Sequence, residues 1–119
     1  MDRPSNGARA LLPLKPADFH ILLALLAEDL HGYGIMQRVA EDSDGQVVLE
    51  VGSLYRVIAR LGKRGLLAPG RRAPGDDPRR RVYSITPLGR EVAGLEAQRL
   101  AAVVRLARGR KYLQRPASG

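Results

Sequence analysis

Arg56, Arg60, Lys63 and Arg64 stand at spacings i, i+4, i+7 and i+8. On a helix that spacing gathers four cations on one face. Leu54, Val57, Ile58 and Leu61, at i, i+3, i+4 and i+7, give the same segment a separate apolar face. One face packs and the other is a cationic ridge. A second basic cluster, Arg79-Arg80-Arg81, follows a loop. Guanidinium and ammonium groups in such arrays bind phosphates, and a guanidinium in a groove can also hold the O6/N7 edge of guanine with two hydrogen bonds. Arg56, near the start of the segment beside Ser53 and Tyr55, suits a base edge. Arg60, Lys63 and Arg64 suit phosphates. Arg79, Arg80 and Arg81 suit an adjacent minor groove or its flanks.

Bond-making chemistry finds no comparable array. The chain has no cysteine, which excludes disulfides, thiol catalysis and cysteine-ligated metals. Ser53 and Ser84 lack a nearby His/Asp pattern. The glycines between 62 and 75 fit neither a phosphate-binding loop nor a dinucleotide fingerprint. Asp76-Asp77 lies between prolines and reads as a solvated loop. A metal at His31 would need Glu28 or Asp29 as co-ligands. The simpler reading is that His31 and Gly32 shape a turn, Tyr33 packs beside it, and His20 is a partly buried packing residue. No enzyme, no metal and no cofactor are expected.

Charge agrees with a polyanionic partner. The 20 Lys+Arg and 12 Asp+Glu leave a net +8. Residues 1–45 hold four basic and seven acidic residues, a net of −3, while residues 46–119 hold sixteen and five, a net of +11. Arginine outnumbers lysine 17 to 3, which coding bias alone explains; the one-sided placement is not explained that way. The longest apolar run, Ile21–Ala27, is far short of the roughly 20 residues of a membrane span. Ala10–Leu14 is too short and proline-broken for a signal-peptide core. A soluble, cytoplasmic protein without membrane contact is expected.

The elements that must position the cations follow from periodicity. Residues 1–13, without period, read as a flexible arm. Pro16 opens a first helix over about 16–29, with Phe19, Leu22, Leu23, Leu26 and Leu30 at helical spacing. His31-Gly32-Tyr33-Gly34 breaks it, and a second helix runs over about 33–42. Gln46–Glu50 reads as extended. Ser53 is a plausible N-cap for a third helix over 53–63, ended by Gly65. Gly62 inside it costs about 1 kcal/mol against alanine. Leu66–Ala68 and Val82–Ile85 read as a β-hairpin with a basic tip. Thr86-Pro87 caps and opens a last helix to Lys111, roughly 37 Å long. Gly89 stands where a capping-box glutamate would be. The long stripe Leu88, Val92, Leu95, Leu100, Val103, Val104 and Ala107 has no room to bury itself in so small a chain, which points to a second subunit.

This order, together with several segments, resembles the PadR family of transcriptional regulators. The segments are Phe19–Leu25, His31-Gly32-Tyr33-Gly34-Ile35, Gly52-Ser53-Leu54-Tyr55-Arg56 with Arg60-Leu61 and Gly65-Leu66-Leu67, and Arg80–Arg90. The resemblance covers about residues 14–107. It implies homodimeric winged-helix repressors on inverted-repeat operators. It places Gly52, Ser53 and Tyr55 at the DNA, and carries the wing's basic residues over to Arg79, Arg80 and Arg81. Gly62 departs from the acidic residue usual there. The single C-terminal helix resembles the short subfamily rather than members with a separate effector domain.

The expected fold is mainly α with a small β-hairpin: a winged helix-turn-helix over 14–86, a C-terminal dimerisation helix over 87–111 and a tail over 112–119. The expected function is sequence-specific binding of double-stranded DNA by a homodimeric repressor, released by a small apolar effector between the subunits. Two other readings stand beside it. One is a ligand-sensing or protein-interaction module without sequence-specific DNA binding; the other is a nonspecific DNA-coating protein.

Overall fold

The most apolar segment of the chain forms the centre of the structure. In this computed structural model, which describes residues 6–72, 74, 75, 77 and 79–110, helix α2 (Pro16–Ala27) has Pro16 in its first turn and buries Ile21, Leu22, Ala24 and Leu25. Around it stand α1 (Asn6–Ala10), α3 (Gly32–Asp42), α4 (Val51–Lys63) and α5 (Pro87–Arg108). Three short strands, β1 (Leu30–His31), β2 (Leu67–Pro69) and β3 (Val82–Ile85), form one antiparallel sheet in the order β1-β3-β2. The expected hairpin is therefore the larger part of a three-stranded sheet. β1 pairs Leu30 with Tyr83 and His31 with Val82; at two residues it is too short to carry a period in sequence.

The residues expected as an arm are in part packed. Over 6–13, α1 places Ala8 in the core, and Leu11 and Leu12 pack against it. Leu14 is buried, and its N–H donates to Glu96 Oε2 at 2.9 Å. Residues 1–5, and 111 with the tail 112–119, lie outside the described residues. Gln46–Glu50 forms no strand, though Leu49 is buried.

The end of α4 has a full glycine stop. Gly65 takes φ +77°, its N–H donates to the Gly62 carbonyl (3.0 Å), and the Leu66 N–H donates to the Leu61 carbonyl (2.9 Å). The start of α5 docks on this turn. Thr86 Oγ1 accepts from the Gly89 N–H (2.9 Å) and donates to the Gly65 carbonyl (2.6 Å). A Cβ at Gly89 would collide with the Leu66 carbonyl oxygen, so the missing capping-box side chain reflects a backbone contact.

The stripe on α5 divides. Val92 and Ala93 are fully or nearly fully buried in the chain's own core, and Leu88 and Leu95 pack against it. Val92 is thus committed to the chain's own core, and Leu88 and Leu95 are half-buried against it. Their helix lies against α2 and α1, which the sequence reading left out of account. Leu100, Val103, Val104 and Leu106 are exposed, and Ala107 is half-buried.

Two carboxylates are buried with a partner. Asp18, 1% exposed, receives Arg60 Nη2 at 2.6 Å. Glu96, also 1% exposed, receives Arg99 Nε at 2.5 Å as well as the Leu14 N–H. The bonds from Arg99 and Leu14 outweigh burial and hold the Glu96 carboxyl below its ordinary value. A depressed folded-state pKa contributes stability above the unfolded value of about 4.5, lost as pH falls through the lower folded value. Urea unfolding should therefore find Glu96→Gln less stable than wild type at pH 7, with the difference closing only well below pH 4.5; a gap independent of pH contradicts the assignment. Arg60→Ala strands the Asp18 carboxylate and should cost about 2–3 kcal/mol, discounted because the arginine is 34% exposed. Arg60→Ala together with Asp18→Ala should recover much of that loss in the same measurement.

Candidate nucleic-acid interface

Helix α4 begins two residues earlier than its sequence signals suggest. Glu50 is its N-cap, without a side-chain bond, and Ser53 is already in the first turn. Ser53 instead accepts from Arg56 Nη2 at 3.4 Å. Leu54, Val57, Ile58 and Leu61 are buried as expected. The opposite face is Gly52, Arg56, Ala59 and Lys63, all exposed. A Cβ at Gly52 would meet nothing within 4 Å, so the backbone there is open to a close approach. Arg64, the C-cap residue, is exposed.

The cations of the ridge do not act alike. Arg60 directs Nη2 to Asp18 of α2 at 2.6 Å and remains about one-third exposed, so part of its charge is spent inside the chain. The periodicity was right; the buried acid 42 residues earlier had no local signal. Arg56 and Lys63 form no described ion pair.

The sheet sets the wing beside α4. The Gly70 N–H donates to the Val82 carbonyl (2.8 Å), and Asp29 Oδ2 accepts from the Arg71 N–H (3.3 Å), tying the wing's base to the end of α2. A Cβ at Gly70 would stand 2.8 Å from the same Asp29 oxygen. Arg71, Arg72, Arg79, Arg80 and Arg81 are exposed. Arg71 and Arg72 extend the basic wing beyond the three arginines singled out in sequence. Asp77 is not a merely solvated loop acid. It accepts from the Arg79 N–H (2.9 Å) and from Arg79 Nε and Nη2 (3.2 Å each), and these bonds hold its carboxyl below the ordinary value. Asp76 lies outside the described residues. Arg79 is thereby partly neutralised, while Arg80 and Arg81 remain.

Tyr55, 48% exposed, leans from α4 toward the start of α3 and the wing. A Cβ on Gly32 would come within 2.6 Å of its hydroxyl, so glycine at 32 makes room for the phenol. Tyr55 and Tyr83 separate two concavities. A cleft of about 720 Å³ lies between α4 and the wing, floored by Ile58, Leu67 and Val82; a notch of about 430 Å³ lies toward α3, walled by Tyr33, Arg80 and Arg81. Burial, and then the nearness of Tyr55, raise the Tyr83 phenol above its ordinary value. Tyr33, expected to support packing, is 63% exposed and belongs to this surface. His31 shapes the turn as expected: its Nδ1 accepts from the Gly34 N–H (3.3 Å) and caps α3. Its Nε2 lies 3.4 Å from Arg80 Nη1. Tyr55 thus lines the notch together with Arg79, Arg80 and Arg81, while Gly52, Arg56 and Lys63 are exposed on the same helix and Ser53 is half-buried. His31 and Tyr33 line the notch and Ala59 the cleft, without a sequence signal strong enough to mark them.

Among the described residues no helix is long and apolar enough to cross a membrane, and no group of three His, Asp or Glu side chains is placed to hold a metal. Known proteins are similar to this chain in sequence or in fold. An uncharacterized 37.1 kDa protein in a transposon of Streptomyces fradiae is 35% identical over 71% of this chain, and the chain spans 23% of that protein's length. A transcriptional regulator from Clostridium thermocellum superposes with a TM-score of 0.64 at 26% identity, covering 88% of this chain and 94% of its own. A PadR family transcription regulator from Clostridium difficile shares the fold with a TM-score of 0.66 at 22% identity, over 77% of this chain and 94% of that one. The model of the transcriptional regulator PadR-like family, whose members are regulators and not enzymes, matches residues 21–94, more than half of the sequence. The winged-helix architecture, the exposed face of α4 and that match agree: the chain belongs to the PadR-like family of transcriptional regulators.

Proposed function

We propose that this chain is a sequence-specific DNA-binding repressor that acts in the cytoplasm as a homodimer on an inverted-repeat operator. The observation that carries the reading is the exposed face of α4. Gly52, Arg56, Ala59 and Lys63 stand opposite the core stripe, beside a wing that offers Arg80 and Arg81. A helix with such a face fits the roughly 12 Å major groove, and the wing then reaches the adjacent minor groove. Arg56 reads a guanine edge; Lys63, Arg64, Arg80 and Arg81 grip phosphates; Ser53 orients the Arg56 guanidinium through its 3.4 Å bond. Gly52 and Tyr55 line the approach.

The exposed Leu100, Val103 and Val104, with Ala107, supply the apolar surface of the dimer. Two-fold symmetry then spaces the half-sites about 34 Å apart. Release by a small apolar effector at the subunit boundary is part of the same reading, because these side chains would wall such a site.

Selection from a random duplex library at near-physiological salt should enrich an inverted repeat. Retention without a motif would favour nonspecific coating, and no retention would favour an interaction module. On the enriched duplex, Arg56→Ala should cost about 1–3 kcal/mol and relax one operator position; equal weakening on random DNA would remove its base-reading role. Light scattering should give twice the 13.0 kDa chain mass, and the Leu100→Glu, Val104→Glu double variant should give a monomer.

A further inference from the structure

We propose that His31 and Arg80 together hold one phosphate of the DNA backbone in the notch between α3 and the wing. The inference rests on the DNA-binding reading and adds to it a contact made by neither the ridge of α4 nor the wing alone.

The geometry of two donors carries it. Capping fixes the His31 ring: Nδ1 accepts the Gly34 N–H at 3.3 Å, so Nδ1 carries no hydrogen and Nε2 does. Arg80 Nη1 stands 3.4 Å from that Nε2, and a guanidinium has hydrogens to donate and no lone pair to accept with. In the tautomer that the Gly34 bond selects, both groups are donors, 3.4 Å apart. An oxygen seated beside both would satisfy the pair.

Nothing described in the chain supplies that oxygen. The residues lining the notch include no carboxylate. The nearby Asp77 is engaged three times by Arg79. Arg81, Tyr33 and Tyr55 add a cation and two phenols to the walls, so the missing acceptor is anionic. The notch opens between the start of α4, through Tyr55, and the wing, through Arg80 and Arg81. In the DNA-binding reading, a strand that passes between α4 and the wing meets this notch. A phosphodiester oxygen has the charge and the two lone pairs that the donors require.

The experiment separates capping from binding. His31→Asn keeps an N-cap acceptor for the Gly34 N–H but is too short to share an oxygen with Arg80. Arg80→Gln removes the charge. Affinity for the enriched duplex is measured for wild type, both single variants and the double, with phosphate-ethylation interference on each. His31→Asn should bind about tenfold more weakly, the worth of one hydrogen bond to a charged group, with an unchanged unfolding midpoint. The double variant should bind no more than about twofold more weakly than Arg80→Gln, because both residues serve one oxygen. Arg80→Gln should lower the salt slope by about one. One phosphate per half-site, whose ethylation blocks wild type, should cease to matter in the variants. Wild-type affinity in His31→Asn, additive losses, or an unchanged interference pattern would each overturn the contact. Stabilisation of wild type but not His31→Asn by inorganic phosphate, with the interference pattern unchanged, would make this a free-phosphate site and remove the backbone assignment. A wild-type protein that retains no duplex would overturn the DNA-binding reading itself, and this contact with it.

Discussion

The contact between the end of α4 and the beginning of α5 governs the geometry of everything that faces outward. Four residues make it: Gly65 with its positive φ, Leu66, Thr86 and Gly89. One hydroxyl, that of Thr86, both caps α5 and holds the last turn of α4, while the Thr86 N–H donates to the Leu66 carbonyl at 3.1 Å. No side chain fits between Gly89 and that carbonyl. The helix that carries Arg56 and Lys63, the strands that carry the wing, and the long helix are thereby joined at one place, through one hydroxyl and a close backbone contact.

Much of this was legible in the sequence because it is local. The helices of 16–27, 32–42, 51–63 and 87–108 follow from apolar spacing, from proline at two helix starts and from glycine at one stop. Thr86 was readable as a cap for the same reason. What was not legible depends on partners distant along the chain. β1 exists because Leu30 and His31 meet Tyr83 and Val82, some fifty residues away. The first thirteen residues show no period, yet Ala8 and Leu14 are buried because α5 offers them a surface and Glu96 offers an acceptor. The long stripe of α5 was correctly read as too long for the chain to bury, but sequence does not say where the core stops. It stops near Glu96, so Leu88, Val92 and Leu95 fall on the inner side.

The candidate interface divides in the same way. Counting arginines located the basic face, and structure separated those with internal partners from those without. Arg60 neutralises Asp18, Arg79 is held by Asp77, and Arg99 neutralises Glu96. Arg56, Arg80 and Arg81 form no described salt bridge, and Arg80 and Arg81 line the notch with Tyr55. A basic surface on a small domain is thus a selection from its cations, made by where the acids stand. His31, whose sequence context suggested only a turn, gains its position from the β1 pairing that sequence could not reveal.

The uninterrupted course of α5 has a mechanical consequence. From Glu96, where the core ends, to Arg108 the helix runs on for about 18 Å with mostly exposed side chains among the described residues. Such a segment is a lever arm, with its fulcrum in the core and its short end fixed to the turn that closes α4. A tilt of about 10° imposed on the free end sweeps it through about 3 Å, and the stiffness of the helix returns the same angle to the core. Whatever grips the far end of α5 therefore has a mechanical advantage over the direction in which Arg56 and Lys63 point.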